Sequence, residues 1–163
     1  EAAGDAVVIA CNAVSHLSAG IFEVYRTGDD TSGRLWSRTR AYGVNTLAFR
    51  LCQNNAFYKI DADCVGIIPG KIDWSLNRQW LDILSVSGSP LFISVKPDDI
   101  TDGMKEDIKK AFSRNSGQKD KAEPLDWLYN NQPQCWLING EKREYDFVEN
   151  SYPELLSGST QSY

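Results

Sequence analysis

The chain has 163 residues, 42% of them hydrophobic and 24% charged, with a net charge of -5. That is enough apolar material for a domain with its own core, and the balance is that of a globular chain rather than a disordered one. No Lys/Arg-rich stretch stands out, which argues against a nucleic-acid partner. The longest apolar runs, such as Ala6–Ala10 and Pro90–Val95, are far too short to span a bilayer, so no membrane partner is expected.

The first residue is Glu1, and no leader-like pattern follows it, so the chain reads as a mature form or a fragment. Cys11, Cys52, Cys64 and Cys135 are widely spaced, without a CxxC pair. Neither a zinc ribbon nor a disulfide scaffold is expected, and buried thiols are the plain reading.

Ala6-Val7-Val8-Ile9-Ala10 reads as a strand buried on both faces, as in a parallel sheet. Glu23–Thr27 is a second strand, closed by Gly28-Asp29-Asp30-Thr31-Ser32. Asp30, Thr31 and Ser32 suit a helix N-cap, and a helical stretch follows from Gly33 to Gln53 with a break near Gly43-Val44-Asn45. Phe57–Ile60 is a third strand, ending at Asp61-Ala62-Asp63-Cys64. Asp73 and Ser75 open a helix whose apolar stripe is Leu76, Trp80, Ile83 and Leu84, with Gly88 placed to end it. Leu91–Val95 is a fourth buried strand. Thr101 or Asp102 caps the next helix, with Met104, Ile108, Ala111 and Phe112 on one face.

This alternation points to a parallel α/β arrangement. After it, Asn115–Glu123 reads as a polar surface linker. Cys135–Ile138, Asn139-Gly140 and Tyr145–Val148 read as a β-hairpin. Tyr152–Tyr163 reads as a frayed end.

Polar residues gather after the apolar strands: Asn12 and His16 after the first, Arg26 to Asp30 on and after the second, Asp61 and Asp63 after the third. In a (β/α)8 barrel these positions share the C-terminal face, where catalytic loops stand. Arg26 and Asp30 are four apart, and a carboxylic acid beside a guanidinium is suited to proton transfer; the alternative is that Asp29 and Asp30 cap the next helix. Asp61 and Asp63 either hold sugar hydroxyls or satisfy loop backbone. His16, the one histidine, has no second ligand near it in sequence and is read as structural or hydroxyl-binding; no metal and no cofactor is expected. Trp36 is a core residue or a sugar platform. No GxSxG elbow, P-loop or dinucleotide fingerprint occurs.

The clusters Val7-Val8-Ile9-Ala10-Cys11-Asn12, Arg26-Thr27-Gly28-Asp29-Asp30 and Asp61-Ala62-Asp63-Cys64, followed by Asn77–Trp80 and Ser87–Ser94, resemble the second half of the catalytic barrel of melibiase-type α-galactosidases and α-N-acetylgalactosaminidases. The resemblance implies an α/β fold: the C-terminal half of a (β/α)8 TIM barrel over residues 1–114, a linker at 115–133, and the beginning of a C-terminal antiparallel β-sandwich domain at 134–163. It implies a glycoside hydrolase fragment that cleaves terminal α-galactosidic bonds by a retaining two-carboxylate mechanism. Asp30 takes the acid/base position. Arg26, Asp63, Cys64, Asn12 and His16 take substrate-binding positions. Two departures are Asp61-Ala62-Asp63 where the family usually has Asp-Pro-Asp, and Asn12 where many members have an acidic or small residue. The family's nucleophile lies on the preceding barrel strand, upstream of this chain, so the remaining barrel half is the implied partner. A secreted or periplasmic site is suggested by the resemblance alone. The alternative is a non-catalytic carbohydrate-binding or interaction domain on a barrel-derived scaffold.

Overall fold

The computed structural model describes residues 3–117 and 121–148; the end read as frayed lies outside them. Strands β1 (Ile9–Cys11), β2 (Val24–Arg26) and β3 (Lys59–Asp61) form a parallel sheet in that order. Cys11, Arg26 and Asp61 stand level at its C-terminal edge. Three residues after β3 the chain runs on as β4 (Val65–Gly66), which pairs in parallel with β5 (Ile93–Ser94). One path of chain thus has β2 as its neighbour through β3 and β5 as its neighbour through β4. The parallel strands follow one another in space as they do in sequence, and the two sheets are open.

Parallel pairing needs long crossovers, and helices supply most of them. Between β2 and β3 the chain is helical as α1 (Trp36–Arg38), a π-helical segment (Thr39–Val44), α2 (Asn45–Arg50) and a 3-10 turn (Leu51–Gln53). The break expected near Gly43 is instead a widening of the helix, in which an extra residue per turn is absorbed without ending it. The expected cap is also displaced. Helix α1 begins at Trp36, and its N-cap is Leu35 with no side-chain cap bond, so Asp30, Thr31 and Ser32 are free for other work.

Helix α3 (Trp74–Ser87) matches its sequence signals. Asp73 accepts a hydrogen bond from the Ser75 N–H, and Gly88 closes the helix in a left-handed conformation. Its stripe, Leu76, Trp80, Ile83 and Leu84, is fully packed. Helix α4 (Asp102–Ser116) is capped by Thr101; Ala111 is buried, but Phe112 points outward.

Strand β1 corrects one expectation. Val7 is 68% and Ile9 52% exposed, because β1 is an edge strand with β2 as its single partner. The apolar run is not covered on both faces by any described residue. Strand β5 is an edge as well, and Ser94 is exposed. The thiols differ too: Cys11 and Cys52 are exposed, and all four cysteines are free.

The hairpin has strand β7 (Cys135–Ile138) and strand β8 (Glu141–Glu144), four residues earlier than expected for the second arm. A two-residue Asn139-Gly140 turn, with φ of 52° and 85°, fixes Ile138 opposite Glu141 and leaves no room for a longer loop. The polar β8 is an outer strand, and Tyr145 and Phe147 turn inward only after it. Strand β6 (Ala122–Pro124) pairs antiparallel with β7 inside the stretch read as a linker. Trp136, Ile138, Tyr145 and Phe147 share one core with Trp36, Val44 and Trp80, and the Trp36 indole N–H donates to the Phe147 carbonyl at 2.9 Å. Trp36 is therefore a core residue, not a sugar platform.

Candidate functional site

In-register residues of neighbouring strands point to the same side of a sheet. Cys11, Arg26 and Asp61 therefore converge at the C-terminal edge of β1–β3. One Arg26 Nη donates to Cys11 Sγ at 2.8 Å, and the other stands 3.5 Å from Asp63 Oδ1. The ion pair of Arg26 is with Asp63, not with Asp30 as its spacing suggested. The buried Arg26 Nε–H has no partner among the described residues.

Asp63 sits at the β3–β4 junction with φ of 74°, a left-handed conformation that a non-glycine residue adopts only when its surroundings hold it. Those surroundings are specific. The Asp63 N–H donates to Asp61 Oδ1 at 2.8 Å. Asp63 Oδ2 accepts from the Thr31 N–H at 2.7 Å and from the Thr31 hydroxyl at 3.0 Å. Asp61 thus satisfies loop backbone, one of its two expected roles.

The Thr31 loop is brought there by backbone contact. Gly33, with φ of 64°, lies so close to Gly66 of β4 that a Cβ on Gly33 would stand 2.7 Å from the Gly66 Cα. Only paired glycines allow this approach. Asp30 is exposed; its Oδ1 accepts from the Ser32 N–H at 3.2 Å, and its carbonyl accepts from Arg38 Nε at 3.1 Å. Arg38 also pairs with Asp29 at 3.2 Å. The Asp30 side chain lies near enough to Asp63 to influence its charge.

The electrostatics follow from these contacts. Burial pushes the Asp63 carboxyl up, but the N–H groups of Thr31 and Cys64, the Asp30 carboxyl and the Thr31 hydroxyl outweigh it and hold Asp63 below the usual carboxylate range. Asp61 is raised, chiefly by burial, with Asp63 adding repulsion. Burial, then the neighbouring Asp63, pushes the Cys64 thiol up to about 12, so it remains a neutral thiol. Burial disfavours the Arg26 cation, but Cys11, Asp63 and Asp30 more than restore it.

Asp30, Arg26, Asp63 and Cys64 are thus brought together, and Asn12, exposed with φ of 55°, follows directly on Cys11 at the rim. His16 is not part of the group. It lies on the turn Ser15–Ser18, and its ring faces Phe57, which precedes β3, with 6.4 Å between centroids. Sequence reasoning missed Thr31, read only as a cap candidate. It also left Cys11 as part of a motif rather than a contact of Arg26. The Gly33 and Gly66 pairing carried no signal, since the two are 33 residues apart.

Among the described residues no group of three or more His, Cys, Asp or Glu side chains is arranged to hold a metal ion. No described helix is long and apolar enough to cross a membrane. Comparison with protein-family models and with curated proteins finds no match to this chain.

Proposed function

We propose that the chain is the second half of a (β/α)8 barrel from a retaining glycoside hydrolase acting on terminal α-galactosides, with Asp30 as acid/base and Arg26, Asp63, Cys64 and Asn12 around the sugar. The observation that carries the reading is the convergence of Arg26, Asp30 and Asp63 at the C-terminal ends of parallel strands. Spatial order that follows chain order is how a barrel is wound, and the C-terminal face is where barrel enzymes work.

The second catalytic carboxylate is assigned to the first half of the barrel. A retaining pair stands about 5–5.5 Å apart across the anomeric carbon, whereas the Asp63 carboxylate is engaged by the Thr31 N–H, the Thr31 hydroxyl and Arg26. Residues 1–163 alone should therefore not hydrolyse glycosides. Joined to the first half, they should hydrolyse α-galactosides, and Asp30→Asn should cost roughly 10²–10⁴-fold on unactivated substrates. Nitrophenyl glycosides, whose leaving groups need little protonation, should lose less. Equal small losses on both would remove Asp30 from the acid/base role. Turnover by the isolated chain would place the nucleophile within it. Sugar binding without turnover in the joined chain would favour the non-catalytic carbohydrate-binding reading.

A further inference from the structure

We propose that the cleft between α2 and the turn that follows β6 is a binding site for a sugar that carries a carboxylate, separate from the C-terminal strand edge and independent of the reading given to Asp30.

The cleft has a volume of about 830 Å³, and ordinary ligand sites run to roughly 300–1,000 Å³. Three stretches of chain wall it, and each is tied to the next. Phe49 of α2 and Cys52 of the 3-10 turn form one side. Asn54 joins that side to the floor. Its Nδ2 donates to the Gly88 carbonyl at the end of α3 at 3.3 Å, and its Oδ1 accepts from the Ile60 N–H of β3 at 2.9 Å. The opposite side is β6 and the turn after it, which presents Trp127. Asp126 pins that turn: its carboxylate accepts from the Gln134 and Cys135 N–H groups, both at 3.1 Å, and from Asn130 Nδ2 at 3.2 Å. Asn45 of α2 donates from Nδ2 to the Asn131 carbonyl at 2.7 Å and ties the two sides together. A cleft held in this way exists before a ligand arrives, so little ordering opposes binding.

The chemistry of the walls names the ligand. Trp127 is 48% exposed although large and apolar, and it meets Phe49 edge-on with 6.4 Å between ring centroids. The pair offers an aromatic surface, and the C–H face of a pyranose ring gains by leaving water against such a surface. Lys59, Lys121, Asn55 and Glu123 stand around it, and among the described residues none of these four side chains has a hydrogen-bond or ion-pair partner. Two lysines against one glutamate make the cleft positive in a chain of net charge -5, and their ammonium groups answer a carboxylate. Asn55 and Glu123 remain for hydroxyls, Asn55 as donor and acceptor, Glu123 as acceptor. A pyranose with hydroxyls and one carboxylate engages all of these groups. An aromatic acid would engage the rings and the lysines and leave Asn55 and Glu123 unmatched.

The cleft is not an extension of the group at the strand ends. It reaches β3 at Lys59, the first residue of the strand, whereas Asp61 closes the other end. It shares no lining residue with Arg26, Asp30 and Asp63.

Two thiols supply the readout. Cys52 and Cys11 are both free and exposed, Cys52 in the cleft and Cys11 at the strand edge. The test is alkylation of the full chain by iodoacetamide, followed at each cysteine by mass spectrometry, with digalacturonate as the probe and calorimetry for its affinity. Digalacturonate should slow the labelling of Cys52 and leave that of Cys11 unchanged. Trp127→Ala, and separately the pair Lys59→Met and Lys121→Met, should weaken binding about tenfold or more. The neutral disaccharide digalactose should bind about tenfold more weakly than digalacturonate, and added salt should narrow that gap. All three substituted side chains are exposed, and thermal unfolding checks that each variant folds; should Trp127→Ala not fold, the lysine pair carries the test. Absence of Cys52 protection at millimolar probe, protection of Cys11 in its place, equal affinity for the neutral disaccharide, tighter binding of indole acetate than of digalacturonate, or an affinity unmoved by the substitutions would each overturn the proposal.

Discussion

The approach of Gly33 to Gly66 makes a quantitative prediction, because two separable costs meet there. Gly33→Ala puts a side chain on a residue with φ of 64° and a Cβ at 2.7 Å from the Gly66 Cα. The left-handed conformation costs an L-residue about 1–2 kcal/mol. Forcing apart well-packed groups costs about 1–3 kcal/mol. Ala also restricts the unfolded chain, which offsets about 0.4–1 kcal/mol at each site. Gly66→Ala meets the clash alone, since its Cβ would be 2.6 Å from the Gly33 Cα but its φ is not positive. Gly140→Ala meets the strain alone, with φ of 85° and open space around it. Thermal unfolding of the three variants should rank Gly33→Ala as the most damaging. A chain of this size loses about 2–4 °C in Tm per kcal/mol, so a deficit of a few kcal/mol is easily read. Gly33→Ala should also release Thr31 from Asp63, visible as an upward shift of the Asp63 titration, which Gly140→Ala should leave untouched. A Gly33→Ala variant no less stable than Gly140→Ala would refute the close approach and, with it, the reason the Thr31 loop lies where it does.

Two further predictions concern carboxyls shifted in opposite directions, half-buried Asp82 and buried Asp61. Asp82 on α3 accepts from Arg114 of α4, from Arg143 of β8 at 3.1 Å and from the Tyr145 hydroxyl at 2.7 Å. Burial pushes it up, but these donors hold it below the ordinary range. Its contribution to stability is present above the unfolded-state carboxyl range and is lost as pH falls through the depressed folded value. Asp82→Asn should cost about 1.5–3 kcal/mol in urea unfolding near pH 7, and less in acid. Asp61 is raised by burial, so its charged form is unfavourable and its contribution fades as pH rises through the raised value. Asp61→Asn keeps an acceptor for the Asp63 N–H and should unfold at the same or higher urea concentration than the native chain at pH 7; a marked loss would mean that its charge is needed.

Much of the chain was legible because its signals are local. The helix Trp74–Ser87 was readable from Asp73, its apolar stripe and Gly88, since caps and 3.6-residue periodicity act within a few residues. The Asn139-Gly140 turn was equally plain, although the second arm was misplaced: the turn sets where pairing starts, and the polar sequence of β8 hid it behind the more apolar Tyr145–Val148. The gathering of Arg26, Asp30 and Asp63 was anticipated from their places at strand ends, which a parallel sheet must bring to one edge.

What the tertiary structure alone decided is which of those groups touch. Four residues of spacing suggested that Arg26 would serve Asp30, yet Asp63, 37 residues on, takes the guanidinium, because strand register rather than chain distance sets neighbours across a sheet. His16 follows the same strand as Asn12 but turns toward Phe57, since the 3-10 turn carries it away from the edge. Apolar residues of β1 read as buried because hydrophobicity records a tendency to be covered, while covering requires a neighbour, and β1 has one only through β2. Thr31 reached Asp63 through two glycines that no local rule connects. Amino-acid order determined the elements and the edge at which chemistry gathers; long-range packing determined which donor meets which carboxylate.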